Sequence, residues 1–235
     1  MNCQVLACDY DGTLAHDGVL DQPTTDALDR LRASGRKLLM VTGRELPDLQ
    51  KVCQVLDRFD WIVGENGALL YRPSDQFSQL LCEPASAALA QKLGAAQVQP
   101  LSIGRAIIAL HEPHETLAIQ FIKELGLELQ VIFNKGSVMI LPTGVNKATG
   151  LRAALAQIGI EARHVVGVGD AENDHAFLSA CGVGVAVANA LPMLKEHADI
   201  VTAGARGFGV TELIDHIIAT DLADLPPKTM PVTQS

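Results

Sequence analysis

Six short apolar runs, each cut off by Gly, Asp or Thr, constrain the fold of this chain most tightly. They are Val5 to Cys8, Lys37 to Val41, Trp61 to Val63, Val165 to Val168, Val183 to Val187, and Ile200 to Val201. The runs are continuous rather than alternating, the pattern of strands covered on both faces as in a parallel sheet. Segments of helical period lie between them. Thr25 to Leu31 carries Leu28 and Leu31 on one face. Leu46 to Leu56 has Pro47 in its first turn, where a missing N–H costs nothing. Lys147 to Ile158 carries Leu151, Leu155 and Ile158, and Val210 to Ile218 carries Leu213, Ile214 and Ile217. Strand alternating with helix predicts an α/β fold, a Rossmann-like parallel sheet core flanked by helices.

The middle of the chain breaks this rhythm. Ala85 to Leu93 reads as an Ala-rich helix, Arg105 to Leu110 as a strand and Pro113 to Leu125 as a helix. Leu127 to Phe133 and Ser137 to Leu141 then flank Asn134-Lys135-Gly136, whose turn chemistry predicts a hairpin. The expectation is a core made of residues 1–83 and 144–221, with a small α+β insert at 84–143 between its halves. Residues 222–235, with Pro226-Pro227 and no periodicity, are expected to be a flexible tail or linker.

Composition narrows the function classes. Hydrophobic residues make up 48% and charged residues 19%, a globular balance, while aromatics at 4% leave the core to Ala, Val, Leu and Ile. The formal net charge of -9, without a basic run, argues against nucleic-acid binding. No stretch is long and apolar enough to span a bilayer. The N-terminus lacks the basic start of a signal peptide, and Asp9 and Asp11 interrupt any apolar segment. The cysteines (Cys3, Cys8, Cys53, Cys82, Cys181) are scattered with no CxxC, which fits reduced thiols and a cytoplasmic location.

Four short motifs carry chemistry, each at the end of a strand-like run. Asp9-Tyr10-Asp11-Gly12-Thr13-Leu14 follows the first run. In open α/β sheets ligands bind beyond the carboxyl ends of the strands. Two carboxylates this close repel each other, and a hard cation such as Mg²⁺, which prefers carboxylate oxygens and phosphate, offsets that cost. A solvated turn is the alternative. Thr42-Gly43-Arg44 ends the second run, where a hydroxyl and backbone N–H groups can hold phosphate oxygens, or simply cap a helix. Lys147 opens a helix and offers a mobile ammonium. Gly169-Asp170 is followed by Asn173 and Asp174, three and four residues on, so that Asp170 and Asp174 can face one cation or cap a helix.

Taken together, Asp9-x-Asp11-Gly12-Thr13, Thr42-Gly43-Arg44, Lys147 and Gly169-Asp170-x-x-Asn173-Asp174 resemble the four motifs of the haloacid dehalogenase superfamily. Gly64-Glu65-Asn66-Gly67-Ala68 and Ala186-Val187-Ala188-Asn189-Ala190 are similar to segments of its Cof-type phosphatases, subfamily IIB, whose cap is inserted between the second and third motifs. The resemblance implies a Mg²⁺-dependent phosphatase acting on a small-molecule phosphate ester through an aspartyl-phosphate. It implies Asp9 as nucleophile, Asp11 as general acid and base, and Lys147 and Thr42 as holders of the phosphoryl group. Gly43 and Arg44 would belong to the phosphate loop, Arg44 either contacting phosphate or simply beginning a helix, and Asn173 would orient phosphate or Lys147. Asp9, the carbonyl of Asp11, Asp170 and Asp174 would hold the metal. The insert would act as a lid.

Ala171 and Ala188 depart from the family's usual Ser or Gly, neither in a charged role. The insert is short for Cof-type enzymes, closer to relatives acting on phosphoglycolate, sucrose phosphate, trehalose phosphate or mannosyl-phosphoglycerate. Arg105 and Lys135 are its candidate anion contacts, while the seven histidines show no metal-site spacing. A phosphotransferase or mutase, and a weakly active phosphate-binding regulatory module, are the competing functions. A monomer or small homo-oligomer is expected. No serine-hydrolase elbow or P-loop occurs.

Overall fold

The computed structural model describes residues 2–223. The chain opens with β1 (Val5–Cys8), α1 (Gln22–Ala33), β2 (Lys37–Val41), α2 (Leu46–Val52) and β3 (Trp61–Gly64). A hairpin of β4 (Leu69–Arg72) and β5 (Phe77–Leu80) follows. After the insert come α5 (Lys147–Ile158), β10 (Val165–Gly169), α6 (His175–Ala180), β11 (Val183–Ala186), α7 (Pro192–His197), β12 (Ile200–Val201) and α8 (Arg206–Thr220). The eight-stranded sheet runs β12-β11-β10-β1-β2-β3-β4-β5. Every pairing from β12 to β3 is parallel, as the continuous apolar runs predict. The added β4 and β5 are antiparallel, so the sheet is mixed.

Local chemistry sets the helices. Asp21 caps α1 by accepting from the Thr24 amide at 2.8 Å, with Pro23 in the first turn. Leu28 and Leu31 of α1 are fully buried, worth roughly 1.5–3 kcal/mol each. α1 packs on α8, and α5 on α6. Asn146 and Thr149 form a capping box at the start of α5, and Gly159 closes it in the left-handed region. That box puts Lys147 at the first helical position. α2 is shorter than its apolar pattern, ending at Val52 before a separate turn at Leu56–Arg58.

The insert holds a second, antiparallel sheet in the order β6-β7-β9-β8. Its strands are β6 (Leu101–Ile103), β7 (Ile108–His111), β8 (Leu129–Asn134) and β9 (Ser137–Pro142), with helices α3 (Ala87–Ala95) and α4 (Glu115–Glu124). Strand alternation divides β9 cleanly. Val138 and Ile140 pack with Leu89, Leu93, Ala118 and Ile122 of the two helices. Met139 and Leu141 face the other way and pack with Ala106, Ile107 and, from the core, Ala68. The β8–β9 turn carries positive φ at both Lys135 (48°) and Gly136 (85°), the backbone of a tight hairpin.

One boundary shifts. Leu222, expected to begin a free tail, is buried in the main core, and the carboxylate of Asp221 accepts from the Cys3 amide and pairs with Arg36. The rest of the expected tail, 224–235, lies outside the described residues. None of the five cysteines forms a disulfide among the described residues. No helix among the described residues is long and apolar enough to cross a membrane.

Candidate active site

The strand order places β1 beside β10, so their C-terminal ends, Asp9 and Asp170, emerge side by side. To one side of this pair the connections run through β2 and β3, to the other through β11 and β12, which makes it the switch point where ligands bind in such sheets. Carboxylate oxygens of Asp9, Asp170 and Asp174 lie within 4.8 Å of one another, all three residues buried. Lys147 stands among them, 1% exposed, donating to Asp9 Oδ1 at 2.5 Å and Asp174 Oδ1 at 2.7 Å. The other oxygen of Asp174 accepts from the amides of Asp170 (2.9 Å) and Ala171 (3.0 Å). Asp174 thus ties its own turn while presenting one oxygen to the cluster.

Asp170 is held from three directions. Thr13 Oγ1 donates to its Oδ1 at 3.1 Å, and Asn189 Nδ2 reaches Oδ2 at 3.5 Å. Lys135, from the β8–β9 turn of the insert, contacts Oδ2 with its ammonium. Gly12 packs so closely that a Cβ there would lie 2.2 Å from Asp170 Oδ2, and its φ of +83° also demands glycine.

Electrostatics follow from crowding. Burial pushes the Asp9 carboxyl well above the usual carboxylate range against the pull of Lys147, and Asp174 and Asp170 push it further. Burial likewise raises Asp170, with Lys135 opposing. Burial alone would lower Lys147, but Asp174 and Asp9 more than offset it, so its ammonium is held above the ordinary lysine value. Three carboxylates against two ammoniums leave the cluster net negative. This all-oxygen donor set fits a hard divalent cation.

The other sequence-predicted residues are distributed around this centre. Thr42 is buried, its Oγ1 accepting from the Arg44 amide at 3.1 Å. Gly43 faces the insert, where a Cβ would meet Met139 Sδ at 3.2 Å and Asn173 Nδ2 at 3.9 Å. Arg44, expected at the phosphate, instead grips Asp11 through Nε (2.7 Å) and Nη2 (2.8 Å), and Asp48 through Nη1 (2.5 Å). Its guanidinium is thus shared between two carboxylates, and Arg44 also stacks over Tyr10. The Asp11 side chain accordingly points to Arg44 at the rim and stays out of the acidic cluster. Asn173, expected near phosphate or Lys147, donates to Asn66 Oδ1 at 3.0 Å rather than contacting Lys147.

Thr13, Glu65, Asn66 and Asn189 carry site contacts that sequence reasoning left without a role. Each sits one to five residues beyond a strand end, the same signal that marked Asp9 and Asp170.

A family model described as haloacid dehalogenase-like hydrolase matches residues 6–95 and 99–214. The chain belongs to the haloacid dehalogenase-like hydrolases. The phosphatase class that the four motifs imply holds with it. Curated relatives include phosphoglycolate phosphatase 2 of Saccharolobus solfataricus, 32% identical over 92% of this chain and 92% of that protein. Phosphoglycolate phosphatase of Methanothermobacter thermautotrophicus is 29% identical over 90% of this chain and 97% of that protein. Among solved structures, a subclass IIB sugar phosphatase superposes with TM-score 0.73 at 18% identity, covering 91% of this chain and 98% of its own. A haloacid dehalogenase-like hydrolase from Bacteroides thetaiotaomicron gives 0.75 at 20% identity, covering 92% and 99%. These two likenesses establish the fold of the hydrolase described here.

Proposed function

We propose that this hydrolase releases phosphate from a small, anionic phosphate ester through an aspartyl-phosphate on Asp9. The observation that carries the reading is the Asp9 carboxylate, at the tip of β1, 2.5 Å from the buried Lys147 ammonium and beside Asp170 and Asp174.

Asp9 attacks phosphorus in line, forming an Asp9–phosphorus bond as the ester P–O bond breaks. Lys147 holds Asp9 in place and supplies positive charge where the transferring oxygens develop charge. The leaving oxygen takes a proton from Asp11. Asp11 then accepts a proton from a water, which attacks phosphorus, breaks the bond to Asp9 and releases phosphate. In the resting arrangement Arg44 holds Asp11, so the acid role requires the Asp11 side chain to swing inward from that pair. Thr42 and the Gly43 turn line the phosphate side, with Asn173 steadied by Asn66. A Mg²⁺ held by Asp9, Asp170, Asp174 and the carbonyl of Asp11 would screen the anions and neutralise transferring oxygens.

The insert acts as the lid and selects the leaving group. Met139 closes down on Gly43, which favours a small leaving group. Lys135 brings a positive charge to the edge of the cluster, which suits a second anionic group such as a carboxylate. The names of the curated relatives support phosphoglycolate as the substrate to try first.

Phosphate release from phosphoglycolate and p-nitrophenyl phosphate, with Mg²⁺ and with EDTA, tests the reading. Release by the wild type and its loss in Asp9→Asn are expected. Equal release by Asp9→Asn would refute a nucleophilic Asp9, and phosphate passed to an acceptor alcohol would favour a phosphotransferase.

A further inference from the structure

Glu65 is a fully buried carboxylate that the proposed chemistry does not use. It projects from the turn after β3 at φ 48° and crosses from the core into the insert. Its Oε1 accepts from the Arg105 amide at 3.0 Å, and its Oε2 from the amides of Ala106 at 2.7 Å and Ile107 at 3.0 Å. Three consecutive backbone N–H groups of the insert therefore close around one core carboxylate. The loop is shaped to that group. A Cβ at Gly104 would lie 2.8 Å from Glu65 Oε2 and 2.7 Å from Ile107 Cγ2.

The same turn reaches the phosphate side of the core. The Glu65 amide donates to the Arg44 carbonyl and the Asn66 amide to the Thr42 carbonyl, each at 3.0 Å. Asn66 Oδ1 accepts from Asn173. A Cβ at Gly67 would lie 2.0 Å from the Asn146 carbonyl, beside the start of the Lys147 helix. On the insert side, the Arg105 carbonyl accepts from the Ala85 amide where the chain first crosses into the insert. Ala106 and Ile107 pack with Met139, which covers Gly43.

We infer that Glu65 is a positioning residue that clasps the insert to the phosphate side of the core and so fixes Met139 over Gly43 and Lys135 over the acidic cluster. The inference rests on the proposed lid role of the insert. A carboxylate is the group that can accept from three amides at once through charge-assisted bonds. Glutamine places an NH₂ against an amide N–H and loses at least one of them. The buried apolar patch alone then holds the insert, which samples open arrangements more often.

Hydrogen exchange with mass spectrometry on the full chain tests this in Glu65→Gln. Peptides covering 101–110 and 137–142 should exchange roughly ten- to a hundredfold faster, the loss of one or more charge-assisted bonds, while β1 and β10 peptides keep wild-type rates. With phosphoglycolate, kcat should fall by about tenfold or more through misplaced lid groups. Inhibition by inorganic phosphate should stay within about twofold of wild type, because the phosphate side is intact. A purely structural loss would speed β1 and β10 as well. Gly104→Ala attacks the clasp from the insert side and should give the same pattern; it decides alone if Glu65→Gln does not fold. Wild-type exchange at 105–107 in folded Glu65→Gln, or in Gly104→Ala, would overturn the clasp. Failure of the wild type to release phosphate would instead overturn the proposed function and leave the exchange result standing.

Discussion

Replacing Lys147 with Met keeps the volume of the side chain and removes the positive charge that touches both Asp9 and Asp174. The ammonium is 1% exposed, so water cannot take its place. Breaking a buried pair by removing one partner costs about 3–5 kcal/mol, because the remaining charge is left unpaired. That is a large fraction of the about 5–15 kcal/mol that holds a typical domain together. The loss must depend on pH. Asp9 already sits above the ordinary aspartate value of 3.8, and without Lys147 it rises further. The folded state then binds a proton that the unfolded state has released, so stability falls as pH rises from 3.8 through the raised value. Above the ordinary value and below the raised one, each pH unit changes the balance by about 1.4 kcal/mol. The variant's deficit should therefore shrink as the pH is lowered from 8 to 6, because the variant's Asp9, raised further than the wild type's, takes up its proton first. Urea unfolding of both proteins in EDTA across that range measures it. A deficit below about 1 kcal/mol at pH 8, or one that grows on acidification, would refute this account of the cluster.

Three further outcomes are expected. Asp11→Asn should slow release from alkyl phosphates by about 10²–10⁴ with little change in metal binding, since its side chain stands apart from the acidic cluster; steady-state rates with alkyl and nitrophenyl esters check this. Lys135→Ala should raise KM for phosphoglycolate about tenfold and leave esters of neutral alcohols unchanged, the loss of one charged contact. Mg²⁺ at about a hundred times its dissociation constant should raise the melting temperature by roughly 5–10 °C, and Asp170→Asn should abolish the gain in a thermal-shift assay.

The core was legible because its strands are buried on both faces and write themselves as unbroken apolar runs, while Asp9 and Asp170 follow β1 and β10 directly. The β4–β5 hairpin was not legible. Its outer strand, Phe77-Ser78-Gln79-Leu80, is an exposed edge without alternation, so no face has to be apolar. Helices α6 and α7 span six residues each, too short to show a period. At the site, sequence spacing placed Asp170 and Asp174 on one side of a turn, as they are. It set Arg44 at the phosphate; the structure pairs it with Asp48, one helical turn on, and with Asp11, which comes from a distant stretch of chain and meets it only in the fold. Lys135 needed the hairpin to bring it over β10, and Glu65 needed the insert's backbone to close around it, so neither partner is written locally.

Covalent capture at Asp9 is the most direct test. Wild-type enzyme and phosphoglycolate, mixed with Mg²⁺, quenched within a turnover and reduced with borohydride, should yield homoserine at residue 9 on peptide mapping. Homoserine at position 11 or 170, or unmodified aspartate at position 9 while phosphate is being released, would contradict the assignment of Asp9 as the nucleophile.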